Sequence, residues 1–143
     1  CIYRFGTIFG TSPGIRFHTA VNKFCYQAAL SKPITVWKTA LDQKRPYLDI
    51  EDAINAITFA IKEDLFDGQI YNIVTANYSV RAITDEIKKT IPNLEIELVD
   101  SEIMNQLSYN VLADKIKNQG FIFSGSIERG ISDTLELLQS IKN

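Results

Sequence analysis

The sequence predicts an α/β fold, and three observations carry that prediction. Short runs rich in β-branched and aromatic residues alternate with segments of helical periodicity. Gly and Pro punctuate the junctions between them. No internal repeat, low-complexity tract or obvious linker interrupts the 143 residues. That length suits a single region, 1–143, with a core of its own, although a core completed by residues outside it would leave an apolar face exposed.

Cys1 to Phe9, rich in Ile, Tyr, Phe and Thr, predicts a strand ended by the turn cluster Gly10-Thr11-Ser12-Pro13-Gly14. Val21, Phe24, Cys25, Ala28 and Ala29 recur at helical spacing and predict an amphipathic helix over 17–31, stopped by Pro33. Ile34 to Trp37 is a short strand, and Lys38 to Lys44 is polar enough for a surface loop. Asp49 has the form of an N-cap, and Asp52 that of a first-turn acid, for a helix over 51–65 with an inner stripe of Ala53, Ile54, Ile57, Ala60 and Ile61. After Gly68, residues 69–75 predict a strand. Ser79 opens a helix with inward Ile83, Ile87 and Ile91, ended by Pro92 and Asn93. Leu94, Ile96 and Leu98 alternate with Glu95 and Glu97 as in a half-buried strand. Leu112 and Ile116 are expected inside on a short helix closed by Gly120, and Ile131, Leu135, Leu138 and Ile141 on the last helix.

Composition excludes several classes. The formal net charge is -2 and the fifteen basic residues are scattered, so no nucleic-acid footprint is present. Cys1 and Cys25 stand too far apart for a metal knuckle or redox pair, and two cysteines make no secreted disulfide framework. No apolar run approaches the roughly 20 residues of a membrane span, and no signal sequence precedes the first strand. The expectation is a cytoplasmic protein with no membrane partner and no metal.

TVWKTALDQKRPYLDIEDA (35–53), DGQIYNIV (67–74), the opening RFGTIFG (4–10) and the closing SIERGISDTLELL (126–138) together resemble the second half of an extended short-chain dehydrogenase/reductase. These are the NAD-dependent sugar-nucleotide epimerases and dehydratases, UDP-glucose 4-epimerase among them. The resemblance implies the last strand or strands of a Rossmann-type sheet plus the small C-terminal substrate-binding lobe. The family's Gly-rich fingerprint and catalytic Tyr-x-x-x-Lys would precede Cys1. The chain would then be a substrate-binding half with no catalytic residue of its own, inactive alone. NAD or NADP would belong to the intact enzyme, and the partners would be a nucleoside-diphosphate sugar and the missing N-terminal half. Family dimers usually form through helices of that half, so a homodimer is compatible with the resemblance. The alternative is a free-standing nucleotide- or protein-binding module derived from such an enzyme.

A sugar nucleotide offers a pyrophosphate, a flat base and a hydroxyl-rich sugar, so its site calls for a bidentate cation, an aromatic slot and short polar side chains. Arg45, at the end of a polar loop and the start of an apolar strand, has the form of the cation. By residue type alone it could equally be a surface Arg paired with Asp42 or Asp49. With Gln43 and Tyr47 it falls on the family's diphosphate-contacting pattern, although Lys38 to Leu41 replace glycines and Pro46 replaces an Asp. Trp37 holds the aromatic position before the loop, as core or as nucleotide-side wall. Thr7 stands where the family has a substrate-binding Asn, with Thr11 in place of a Pro, and Phe5 lies in the stretch that meets the nicotinamide. Asn22 resembles a substrate-contacting Asn of a subgroup reading Arg-Phe-Asp-x-x-Val-Asn, with His18 where that subgroup has Asp. Asn105-Gln106-Leu107-Ser108-Tyr109 occupies the place of a nucleotide-holding Arg, leaving amides and a phenol to act there.

Overall fold

The computed structural model describes residues 1–100 and 108–142. Its elements in chain order are strands β1 (Ile2–Phe5) and β2 (Thr7–Phe9), helix α1 (Ala20–Ala29), strands β3 (Ile34–Trp37) and β4 (Lys44–Asp49), helix α2 (Ile50–Lys62), strands β5 (Ile70–Ile73) and β6 (Ala76–Ser79), helix α3 (Val80–Thr90), strand β7 (Ile96–Val99) and helices α4 (Asp114–Lys117) and α5 (Ile127–Lys142). No helix among the described residues is long and apolar enough to cross a membrane.

The opening strand splits at Gly6. Ahead of it β1 pairs in parallel with β5, Ile2 opposite Ile70; after it β2 pairs in parallel with β4, Thr7 opposite Tyr47. Gly6 still donates its N–H to the Ile73 carbonyl, while a side chain there would press on the main chain of Pro46 and Tyr47 at 3.2 Å. A glycine is what lets one strand change partners at that crossing. β4 is the centre of a three-stranded sheet, with β2 parallel on one side and β6 antiparallel on the other, and β3 pairs in parallel with β7. β6 was not foreseen from the sequence: it is four residues long, carries Asn77 and ends on the Ser79 that caps α3, so it has almost no alternating signal of its own.

Because successive side chains of a strand point to opposite faces, β4 divides two cores. Tyr47 enters the larger one, with Phe9, α1, α3 and α5; Leu48 enters the smaller, with Tyr71, Ile73, Phe121 and the alanines of α2. The expected inner stripe of α2 is corrected here. Its buried positions are Asp52, Ala53, Ala56 and Ala60, whereas Ile54, Ile57 and Ile61 are 57%, 49% and 65% exposed. The small residues let the helix axis approach the sheet closely, and a helix apolar on two faces cannot bury both against one sheet. Leu112, expected inside, is 69% exposed because α4 begins only at Asp114; Ile141 is exposed at the end of α5.

Asp49 and Asp52 tie the elements together. Asp49 accepts the Glu51 N–H at 2.9 Å, the expected N-cap bond, and its second oxygen accepts from Ser126 N–H at 3.3 Å. Asp52 is fully buried. One oxygen accepts from Ser124 and Gly125 N–H at 2.8 and 3.1 Å, the other from the Thr75 hydroxyl at 2.6 Å. Thr75 in turn receives the Asp49 N–H at 2.8 Å and donates its own N–H to the Tyr47 carbonyl. A side chain on Gly125 would collide with Asp49 and Asp52, so only glycine brings that main chain close enough to be held.

Asp52→Ala is expected to leave the part-buried N–H groups of Ser124 and Gly125 and the Thr75 hydroxyl without their acceptor and to destabilise the fold by about 2 kcal/mol in urea unfolding, with Asp52→Asn losing less. Burial pushes the Asp49 carboxyl above its usual range, against the pull of the Glu51 N–H and of Arg129. Such a carboxyl takes up a proton on folding. Its contribution is fully present below its unfolded value of about 3.9 and is lost as the pH rises through the folded value. Asp49→Asn should therefore flatten the fall in stability with rising pH, read as melting temperature from about pH 3 to about pH 6.

Candidate functional site

The carboxyl ends of the parallel strands β2 and β4 open onto a cleft of about 460 Å³. Thr7, Ser12, Arg16, His18, Thr19 and Asn22 supply its polar lining, Gly10 and Ile50 sit just past the two strand ends, and no lining side chain is acidic. Open α/β sheets bind ligands beyond the carboxyl ends of their strands.

Asn22, on the first turn of α1, is buried and braces the cleft wall. Its carbonyl oxygen accepts the Gly10 N–H at 3.2 Å, and its amide nitrogen donates to the Arg16 carbonyl at 3.2 Å and the Gly10 carbonyl at 3.5 Å. The loop between β2 and α1 is thus clamped at both ends by one side chain. Most of the amide's hydrogen-bonding capacity is spent on the main chain, which makes Asn22 first a positioning residue.

His18 also borders a second groove of about 430 Å³, where Trp37 (41% exposed) lies with Lys23, Thr35 and Val80. Trp37 is therefore a wall rather than core. Tyr47 is the reverse: the structure puts it in the core, 3% exposed and tilted against Tyr78 at 6.5 Å, rather than at a surface. Burial raises its phenol's pKa, and the Arg45 guanidinium partly offsets this.

Arg45 sits on the same face of β4 as Tyr47, two positions earlier, opposite Tyr78 of β6; Thr7, opposite Tyr47, shares that face. Its guanidinium donates to the Lys44 carbonyl at 2.9 Å and to Gln43 Oε1 at 3.0 Å and lies 5.0 Å from the centre of the Tyr109 ring. Tyr109 is brought there because Lys44 N–H donates to Ser108 Oγ at 3.0 Å and Val111 exchanges two hydrogen bonds with Asn77. Asp42, one acid expected beside Arg45, is instead bridged by Arg81 at 2.6 and 3.0 Å, and Asp49 faces Arg129 at 3.6 Å. Asn105, Gln106 and Leu107 lie outside the described residues; Ser108 and Tyr109 are the part of that stretch that reaches Arg45. Phe5 is exposed at the end of β1, opposite Ile73.

The structure thus gathers Thr7 and Asn22 in one cleft, sets Trp37 in an adjoining groove, and groups Arg45 with Gln43 and Tyr109. Sequence reasoning missed Arg16 as a lining residue. It lies on a loop without periodicity, and its place at the head of the Arg-Phe-x-x-x-Val-Asn string 16–22 is the signal that could have marked it. Among the described residues no group of three or more His, Cys, Asp or Glu side chains could hold a metal ion.

Parallel pairs linked by helices, with a cleft at the strand ends, define an α/β protein of the open-sheet kind. The chain matches the NAD dependent epimerase/dehydratase family over residues 1–74, and it belongs to that family. It is 34% identical over 91 residues to the chloroplastic UDP-sulfoquinovose synthase of Spinacia oleracea, a match covering 62% of this chain and 19% of that protein. Two solved structures share the fold. UDP-glucose 4-epimerase of Thermotoga maritima, with UDP-glucose, has a TM-score of 0.82 at 17% identity and covers 99% of this chain and 46% of its own. A variant of Bacillus cereus UDP-glucuronic acid 4-epimerase, with a UDP-sugar and NAD, has a TM-score of 0.83 at 18% identity and covers 98% and 45%. The chain therefore spans less than half the length of these solved structures, and the fold it shares with them is the end of a Rossmann-type sheet with its C-terminal lobe.

Asn22→Ala should release the 10–16 loop and cost about 1 to 3 kcal/mol of stability, measured by chemical unfolding, because it leaves buried main-chain groups at Gly10 unpaired.

Proposed function

We propose that this chain is the substrate-binding half of an NAD-dependent sugar-nucleotide epimerase or dehydratase and is inactive by itself. The observation that carries the reading is the shared sheet face. Arg45, held by Gln43 and Tyr109, and Thr7, at the mouth of the cleft, flank the buried Tyr47 from two adjacent strands. A guanidinium in that place can take diphosphate oxygens, Thr7 and Thr19 can hydrogen-bond a sugar, and the Trp37 groove offers a flat wall to the base. The family match supports this reading.

For NAD the fit is partial. Gly6 and Gly10 lie between a strand and a helix, but both are taken up by packing: Gly6 against β4, and Gly10, at φ +111°, where an added Cβ would lie 3.0 Å from the Ile50 side chain. Neither leaves a cradle for a pyrophosphate. Phe5 is the residue that would meet the nicotinamide end. Bound in the intact enzyme, NAD or NADP would supply hydride transfer; this chain's residues would hold and orient the substrate. Ile2 and Ile70 of the β1–β5 pair are exposed on the sheet face opposite α2, where a dinucleotide-binding half would pack, since parallel strands are normally covered on both faces; Ile54, Ile57 and Ile61 are a separate exposed stripe on the outer side of α2. A cytoplasmic location agrees with the two free cysteines.

Titration calorimetry of the chain with NAD should show no binding in the low micromolar range; a low micromolar dissociation constant would overturn the placement of the cofactor site outside it. In the complete enzyme, Arg45→Ala should weaken sugar-nucleotide binding by about 1.5 to 3 kcal/mol, against under about 1 kcal/mol for loss of a merely exposed ion pair. Arg45→Lys should rescue only part, because an ammonium lacks the planar fork. Unchanged affinity with a lowered melting temperature would make Arg45 structural.

A further inference from the structure

We propose that Arg16, with His18 beside it, forms an anion subsite at the sugar end of the cleft, so that the chain selects a nucleotide sugar whose ring carries a second negative group, a carboxylate being the simplest. The inference rests on reading this cleft as a sugar-nucleotide site.

Four observations converge on it. Arg16 and His18 both line the cleft, and none of its lining side chains is acidic. Among the described residues the Arg16 guanidinium has no hydrogen-bond or ion-pair partner, whereas Arg81 and Arg129 are each bonded to a carboxylate. Asp49, Glu51 and Asp133 line a separate small recess that shares only Gly10 and Ile50 with the cleft, and there Arg129 bonds Glu51 at 2.7 Å. Finally, the Arg16 main chain is not free to drift, because its carbonyl is fixed by the buried Asn22.

The helix that follows adds to the same field. α1 begins at Ala20, its N-cap Thr19 makes no side-chain capping bond, and Thr19 lines the cleft. Its first N–H groups are thus uncapped beside the two basic side chains. The diphosphate already has a cation in Arg45, which belongs to a different group of residues around Gln43 and Tyr109. A neutral hexose would leave the guanidinium without a counter-charge; a hexose with a carboxylate would supply one in bidentate geometry.

The test is a set of NMR titrations of the isotope-labelled chain with UDP, UDP-glucose and UDP-glucuronic acid, a method that reads millimolar affinities. The expected result is amide shifts around residues 10–22 and UDP-glucuronic acid binding at least about tenfold tighter than UDP-glucose. Arg16→Ala should erase that preference while leaving UDP and UDP-glucose affinities and the melting temperature unchanged. Arg16→Lys should keep part of it, and His18→Gln should reduce it less. No preference in the unaltered chain overturns the proposal. An equal loss for all three ligands in Arg16→Ala also overturns it, making Arg16 a diphosphate contact while the sugar-nucleotide reading stands. If no UDP compound shifts the cleft amides, that reading fails first and this inference with it.

Discussion

The interaction on which the rest of the structure depends is the buried carboxylate of Asp52. A charge taken out of water is tolerated only when its lone pairs are met, and here two main-chain N–H groups and a hydroxyl meet them. The groups that satisfy it come from places far apart in sequence: Thr75 after β5, and Ser124 and Gly125 ahead of α5. Asp49, three residues earlier, caps the same helix and reaches Ser126. Satisfying two acids therefore fixes how α2, the β5–β6 turn and the approach to α5 meet at the end of β4. Arg129 on α5 then adds an exposed pair with Glu51, which contributes little by comparison.

From that junction the site follows geometrically. β4 ends at Asp49, so the network fixes the carboxyl end of the strand whose earlier residues carry Arg45 and Tyr47. The cleft opens where β2 and β4 end side by side, and the loop that walls it is held by Asn22 at Gly10 and Arg16. On the opposite side Gly130 lets α5 pack directly on Phe9, where a side chain would lie 2.5 Å from the ring, and closes the larger core beneath the cleft. Strands thus carry Arg45 and Thr7, and the loop that contributes Ser12, Arg16, His18 and Thr19 is braced from within by Asn22.

Much of this was legible in the sequence. Periodicity located α1, α3 and α5 and the strands at 34–37 and 70–73, and Asp49 was recognisable as a cap because an acid directly before a helical stripe has few other uses. The family resemblance marked Arg45, Thr7 and Asn22. What it could not supply was the environment of each. Asn22 has the residue type of a ligand contact, yet its amide is directed to main chain. Tyr47 sits in a substrate-like motif, yet the alternation of β4 turns it into the core. On α2 the larger residues promised the buried face, but the alanines took it, because closeness of approach rather than side-chain size decides which face of a helix meets a sheet.

The sequence by itself determined the α/β class, the order of most elements and the family. These are properties of local periodicity and of short strings. The tertiary structure alone decided that the opening strand divides at Gly6 between two partners, that Thr75, Ser124 and Gly125 converge on Asp52, and that Arg16 faces a cleft free of acid. Each of those depends on residues brought together from separate parts of the chain by hydrogen bonds and close packing, and such contacts leave no spacing in the sequence from which they could be read.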